Sequence, residues 1–248
     1  MGFQVYLNKF DDFINYIKNY NGNFISIDFE YHQHNIRLWQ VCFYNKNNNH
    51  AIYVIDVKLI DDKSMDLIIN KLLTSKKIVK IFHGAESLDF PYLLTVLKKP
   101  EVIYKFLNST FDTRFLCEYY NKITESKNKL CNVYDAMLIF KTITKTKYDE
   151  LQQINKAIGP IWKVNWANIG KDINLLKYTI YDVIYLKDML MRIYKLYKEN
   201  NLMDDLYDLQ KINTYVILKR NKINYDYKLN LVNNKEKYKI VDYYRALL

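Results

Sequence analysis

The chain has 248 residues, half of them hydrophobic and 26% charged, with a formal net charge of +10 carried almost wholly by lysine. This balance excludes a disordered chain and suits one substantial domain with an appendage. No window approaches the roughly 20 apolar residues of a membrane span, and the N-terminus lacks the basic, apolar and small-residue succession of a secretion signal. A soluble, intracellular protein with no membrane partner is therefore expected. The positive field favours polyanions, nucleic acid first among them, although a Lys-, Asn-, Ile- and Tyr-rich composition also follows from an AT-rich genome.

Phe10, Phe13, Ile14 and Ile17 recur at helical spacing, and Asn21-Gly22-Asn23 then turns the chain into Phe24 to Glu30, which alternates as a strand does. Two further β-rich runs, Ile36 to Tyr44 and Ala51 to Val57, flank the turn-forming Asn45 to Asn49, so three sequential strands form an antiparallel meander. A helix over Asp62 to Leu73, a short strand Ile78 to Phe82 and a helix from Glu86 to Leu97 follow. That alternation makes the sheet mixed, part antiparallel and part parallel. Beyond Asp112 the spacing predicts helices over Thr113 to Tyr120, Val133 to Thr142, Tyr148 to Ala157 and Ile173 to Tyr197, which cover the sheet. The α/β domain is expected to occupy 1–199. A helical, basic C-terminal extension, 200–248, holds a helix over Leu202 to Leu218 and the cluster Lys219 to Lys222. Cys42, Cys117 and Cys131 lack any C-x-x-C spacing and read as reduced core residues.

Asp28 and Glu30 stand two apart on a strand, so both side chains emerge on one face near its C-terminal end. Side by side in an apolar strand they repel, and burial raises both pKa values; a divalent cation removes the conflict. Alone, the pair also fits a solvated strand end. Tyr178 and Asp182, four apart, share one helical face and can share one site, or sit as a surface pair on an amphipathic helix. Phe82 to Leu93 reads as a strand ending in the small-residue turn His83-Gly84-Ala85 and entering a helix. Asp89 falls in the first turn, where exposed amides also favour a capping anion. Asp112 is expected to cap the helix that starts at Thr113.

Together these segments resemble the three motifs of the ribonuclease D-like 3′→5′ exonucleases, the tyrosine form of the DEDD group in the DnaQ-like (ribonuclease H-like) superfamily. Ile25 to Glu30 resembles the first motif, Phe82 to Leu93 the second with its His-Gly-Ala start, and Tyr178-x-x-x-Asp182 the third. Phe111-Asp112-Thr113, Trp166 at its interval before Tyr178, and Gln40 on the second strand are similar to further family marks. Two departures stand out: Leu88 occupies the usual place of the second-motif aspartate, with Asp89 one residue later, and Ile169-Gly170 replaces an Arg-Pro pair.

The resemblance implies a ribonuclease H-like mixed sheet of five or six strands flanked by helices. It implies a metal-dependent 3′→5′ exonuclease in which Asp28, Glu30, Asp89 and Asp182 hold two divalent ions, Mg²⁺ or Mn²⁺, and Tyr178 orients the attacking water. The expected reaction releases nucleoside 5′-monophosphates from single-stranded or 3′-overhanging nucleic acid, RNA before DNA. Phe29, Tyr31, His83 and Trp166 are candidate substrate contacts, His83 in a structural or substrate-backbone role. His32 and His34 lie within reach of a phosphate or on a strand-loop surface. A nucleic-acid-binding or interaction module that keeps the exonuclease fold and has weak or no catalysis is the alternative.

Overall fold

The period-two pattern of Phe24 to His32 divides one strand between two environments. In the computed structural model, which describes residues 2–33, 35–46, 49–125 and 131–225, this strand is β2 (Phe24–His32). Ile25, Ile27 and Phe29 enter one apolar core, while Ser26, Asp28 and Glu30 face the other side of the sheet.

β2 pairs antiparallel with β3 (Asn35–Phe43), which pairs antiparallel with β4 (Asn49–Asp56). That is the expected meander. β5 (Val79–Phe82) runs parallel to β2 on its other side. Two strands were not expected: β1 (Gly2–Leu7) lies parallel to β4, and β6 (Thr110–Asp112) lies parallel to β5. The described sheet is six-stranded, in the order β1-β4-β3-β2-β5-β6.

Helices α1 (Phe10–Asn19), α2 (Asp62–Ile68), α3 (Asp89–Leu97) and α4 (Pro100–Leu107) serve the core that holds Ile25, Ile27 and Phe29. A π-helical stretch continues α2 over Ile69–Leu73. On the other face lie α5 (Thr113–Ile123), α6 (Val133–Ile139), α7 (Lys145–Ile158) and, after a break, the helices α8 (Ile173–Ile184) and α9 (Leu186–Glu199). α10 (Met203–Arg220) inserts Leu206, Leu209 and Ile212 into the core beside α5 and α9, and Ile217 and Leu218 into the core beneath α1.

The single helix expected over Ile173 to Tyr197 is two, broken at Tyr185. Side chains of the sheet satisfy the freed backbone groups. The Tyr44 hydroxyl donates to the Val183 carbonyl (2.7 Å) and accepts from the Lys187 amide (3.3 Å), and Ser26 Oγ donates to the Val183 carbonyl (2.6 Å). A side chain wedged into the helical ladder is a sufficient cause for such a break. It also docks the C-terminal end of α8 against β2, one residue beyond Asp182.

The cysteine expectation needs correction. Cys117 on α5 and Cys131 just before α6 form a disulfide, their Cα atoms 6.0 Å apart, within the reach of a bridge. Cys42 is free and buried. No helix of the described residues is long and apolar enough to cross a membrane.

Candidate active site

β2 and α8 deliver three carboxylates to one point. Ligand-capable oxygens of Asp28, Glu30 and Asp182 lie within 4.8 Å of one another at the base of a cavity of about 600 Å³. Glu30 is 3% and Asp182 7% exposed, and no hydrogen bond reaches Asp182 Oδ1. Burial holds the Asp28 carboxyl far above its ordinary range, reinforced by Glu30, Asp89 and Asp182, and burial followed by Asp182 does the same to Glu30. Asp182 is pushed up to about 7 by burial, against the opposing influence of the Tyr134 and Tyr178 hydroxyls. Three hard oxygen donors with raised pKa values and an orphaned lone pair form a set that fits a divalent cation. Gln40, opposite Asp28 across the β2–β3 ladder, fixes Glu30 by donating from Nε2 to its carboxylate (2.8 Å).

Asp89 is the first residue of α3, at the end of the turn that follows β5. The Phe90 amide bonds to the Ala85 carbonyl (2.9 Å), a five-residue step in place of the helical four. The wide turn takes up one extra residue: Leu88 is extruded, 45% exposed, and Asp89 turns inward, 7% exposed, to line the cavity. Burial pushes the Asp89 carboxyl up to about 8, opposed by a hydrogen bond from the Tyr31 hydroxyl (3.1 Å). Asp112 braces the start of this turn. Its carboxylate accepts from the amides of Gly84, Ala85 and Arg114 (each 2.9 Å), so the expected cap of α5 also ties the two segments together. Gly84 has φ +74°, the left-handed region open to glycine.

Tyr178 lines the cavity one helical turn before Asp182. Burial first, then the Asp182 charge, raises its pKa, so the phenol stays protonated. Trp166 stands behind it, ring centroids 6.3 Å apart, 2% exposed, with the indole N–H donated to the Tyr31 carbonyl (3.0 Å). As a candidate substrate contact Trp166 is thus misplaced: it supports Tyr178 and β2 from within the protein. Phe29 requires the same correction. Although the residue borders the cavity, strand alternation sends its ring to the opposite core, stacked on Trp39 at 5.3 Å. Tyr31 and His83 do line the cavity.

His83 Nε2 donates to the Cys131 carbonyl (2.8 Å), which leaves Nδ1 (2.9 Å) to the Thr113 hydroxyl. Burial lowers its pKa to about 4, so the ring is neutral, and both of its nitrogens face partners within the protein. His32 bonds through Nδ1 to the Val164 carbonyl (3.1 Å), while His34 lies outside the described residues. Lys145 and Lys147 pair with Asp149 and Glu150.

Sequence reasoning passed over Tyr134 and Arg114. The Tyr134 hydroxyl is buried beside Asp182 and acts against the rise of that carboxyl's pKa. Arg114 is the only lysine or arginine among the described lining residues, held by Glu118 (2.9 Å) with Glu86 at 3.8 Å. No spacing rule marks either residue; their position after Asp112 and near the start of α6 acquires meaning only in three dimensions.

No protein-family model matches the sequence. The chain is 31% identical over 241 residues to the uncharacterized protein L533 of Acanthamoeba polyphaga mimivirus, a match that takes in 89% of this chain and 46% of that protein. The chain therefore spans about half the length of the curated relative it matches. Among solved structures it is similar to Brucella melitensis NrnC (TM-score 0.57, 14% identity, 95% of this chain and 100% of that one). It is also similar to Escherichia coli RNase D, an exoribonuclease involved in structured RNA processing (TM-score 0.59, 13% identity, 91% of this chain and 52% of that one). The Aedes aegypti Nibbler EXO domain superposes with a TM-score of 0.57 at 13% identity over 83% of this chain and 94% of that one.

The chain has the ribonuclease H-like fold that it shares with these structures, as the sequence motifs led one to expect.

Proposed function

We propose that this chain is a metal-dependent 3′→5′ exonuclease that removes nucleoside 5′-monophosphates from single-stranded or 3′-overhanging nucleic acid, RNA in preference to DNA. The observation that carries this reading is the convergence of Asp28, Glu30 and Asp182 from β2 and α8, with Asp89 turned into the same cavity. Support also comes from fold relatives: NrnC of Brucella melitensis has been captured with bound Mg²⁺ and bound to pGG.

Asp28, Glu30 and Asp182 would hold one cation, and Asp89, steadied by Tyr31, would hold a second together with Asp28. When bound, two such ions supply an activated water and neutralise charge on the leaving 3′ oxygen. Tyr178 contributes a protonated hydroxyl that orients the water by hydrogen bonding, and its raised pKa makes it a poor proton acceptor. Tyr134 and Tyr178 flank Asp182 and keep its carboxylate facing the cavity. Gln40 does the same for Glu30.

Matched 3′-labelled and 5′-labelled RNA and DNA oligonucleotides, with Mg²⁺, Mn²⁺ or chelator, test the reading with the wild type and Asp28→Ala. Stepwise loss of the 3′ label as mononucleotide, abolished by chelator and by the substitution, is expected. Shortening from the 5′ end, or cleavage indifferent to metal, overturns it.

A further inference from the structure

The loop from α7 to α8 carries a feature that the carboxylate chemistry leaves unexplained. Trp162 is 71% exposed, while the other two tryptophans, Trp39 and Trp166, are 0% and 2% exposed. A free indole in water forgoes the burial that favours aromatic rings inside. Trp162 also lines the same cavity as the carboxylates.

The loop holding it is well anchored. Gly159 caps α7 at φ +74°, with open space where a Cβ would stand, so the backbone conformation and not crowding calls for glycine. Pro160 fixes the next step and its carbonyl accepts from the Lys163 amide (2.9 Å), forming a 3₁₀ turn over Ile161–Lys163. On the far side Val164 is buried and its carbonyl accepts from His32, and Trp166 is buried with its indole donated to Tyr31. Residues on both sides of Trp162 are therefore tied to α7 and to the end of β2. The ring is presented at the cavity on a pinned turn, which reduces the ordering cost of a contact.

We infer that Trp162 is a stacking platform for a nucleobase of the strand whose backbone enters the carboxylate cavity. This rests on the exonuclease reading above. The other cavity groups suit a phosphodiester: carboxylates that can hold cations, and the Arg114 guanidinium. The Arg114 guanidinium is engaged by Glu118, and none of the carboxylates has an affinity for a flat apolar ring. Trp162 does, and Leu88, exposed on the wide turn before Asp89, offers a second apolar surface on the same cavity. Base stacking is tolerant of sequence because every base has a π-face, so the platform grips a single strand without selecting its sequence. Paired bases are stacked within their own duplex, and the platform therefore favours unpaired ends.

The test uses the Asp28→Asn protein with Mg²⁺ and a dye-labelled single-stranded oligonucleotide, read by dye anisotropy and by tryptophan emission. Trp162 is the exposed indole, so its quenching is expected to saturate at the same concentration as anisotropy. Trp162→Phe should lose the quench and bind within about threefold of the parent. Trp162→Ala should weaken binding about tenfold, within the range measured for base stacking, and in the active enzyme should raise KM far more than it lowers kcat. An oligonucleotide whose last two sugars lack bases should bind parent and Trp162→Ala proteins alike. Saturating anisotropy with unchanged emission, or equal binding of the normal oligonucleotide by the parent and Trp162→Ala, overturns the platform and leaves the exonuclease reading standing. Absence of both binding and cleavage overturns the two together.

Discussion

The two faces of β2 are built from adjacent residues and obey opposite rules. Ile25, Ile27 and Phe29 are buried among aliphatic and aromatic neighbours and stabilise the fold by removing apolar surface from water. Ser26 faces the broken helix, and Asp28 and Glu30 face Asp182; burial raises the pKa of all three carboxyls, and neighbouring carboxylates raise Asp28 and Glu30 further. One face therefore stores stability while the other gathers buried carboxyls whose charged forms are disfavoured. Period-two geometry is what allows both within nine residues.

The largest expected effect separates the faces by activity. Asp28→Ala should lower kcat by at least about 10³-fold, the equivalent of several kcal/mol of lost cation binding and charge stabilisation, with an unchanged circular dichroism spectrum. Asp89→Asn should follow it, whereas Glu86→Gln, on the same turn but paired with Arg114, should keep most of the activity. Equal losses from Asp89 and Glu86 would place the wrong carboxylate in the set.

On the apolar face, Ile27→Ala should cost about 2–5 kcal/mol of unfolding free energy in denaturant titration. The residue is wholly buried, and a cost below about 1 kcal/mol would contradict that packing. Tyr44→Phe should cost about 1–3 kcal/mol, because it strips a partner from the Val183 carbonyl and the Lys187 amide at the helix break.

The smallest effect inverts the sign. With folded-state values near 7 for Asp182 and 8 for Asp89 against an ordinary 3.8, the metal-free folded protein binds protons that the unfolded chain has released. Stability from these groups is fully present below about pH 4 and is lost as pH rises toward about 8. In chelator, thermal unfolding at pH 8 should therefore lie below that at pH 5, and Mg²⁺ should restore more at pH 8. Asp182→Asn should raise the metal-free Tm at pH 8 by about 2–6 °C. A lowered Tm would mean that the carboxylate is already compensated within the protein.

The acidic set was legible in the sequence because its geometry is local: two residues on a strand share a face, and four on a helix share a face, whatever surrounds them. The meander and most helices were legible for the same reason. β1 and β6 were not, since their pairing with β4 and β5 depends on chain segments more than 20 residues away. Nor was the break at Tyr185, where apolar periodicity runs on through α8 and α9 while the Tyr44 and Ser26 hydroxyls interrupt the backbone ladder. Cys117 and Cys131 carried no spacing signal, and Phe29 and Trp166 looked like substrate contacts until packing turned their rings into the protein.

By itself, then, the sequence determined which carboxylates and which tyrosine are presented on common faces of β2 and α8, because backbone periodicity alone aligns them. The tertiary structure decided that these faces meet within 4.8 Å, and that a five-residue turn directs Asp89 inward and Leu88 outward. It also decided that the exposed indole at the cavity belongs to Trp162 and not to Trp166. Those outcomes depend on which distant surfaces exclude water from one another, and no local pattern records that.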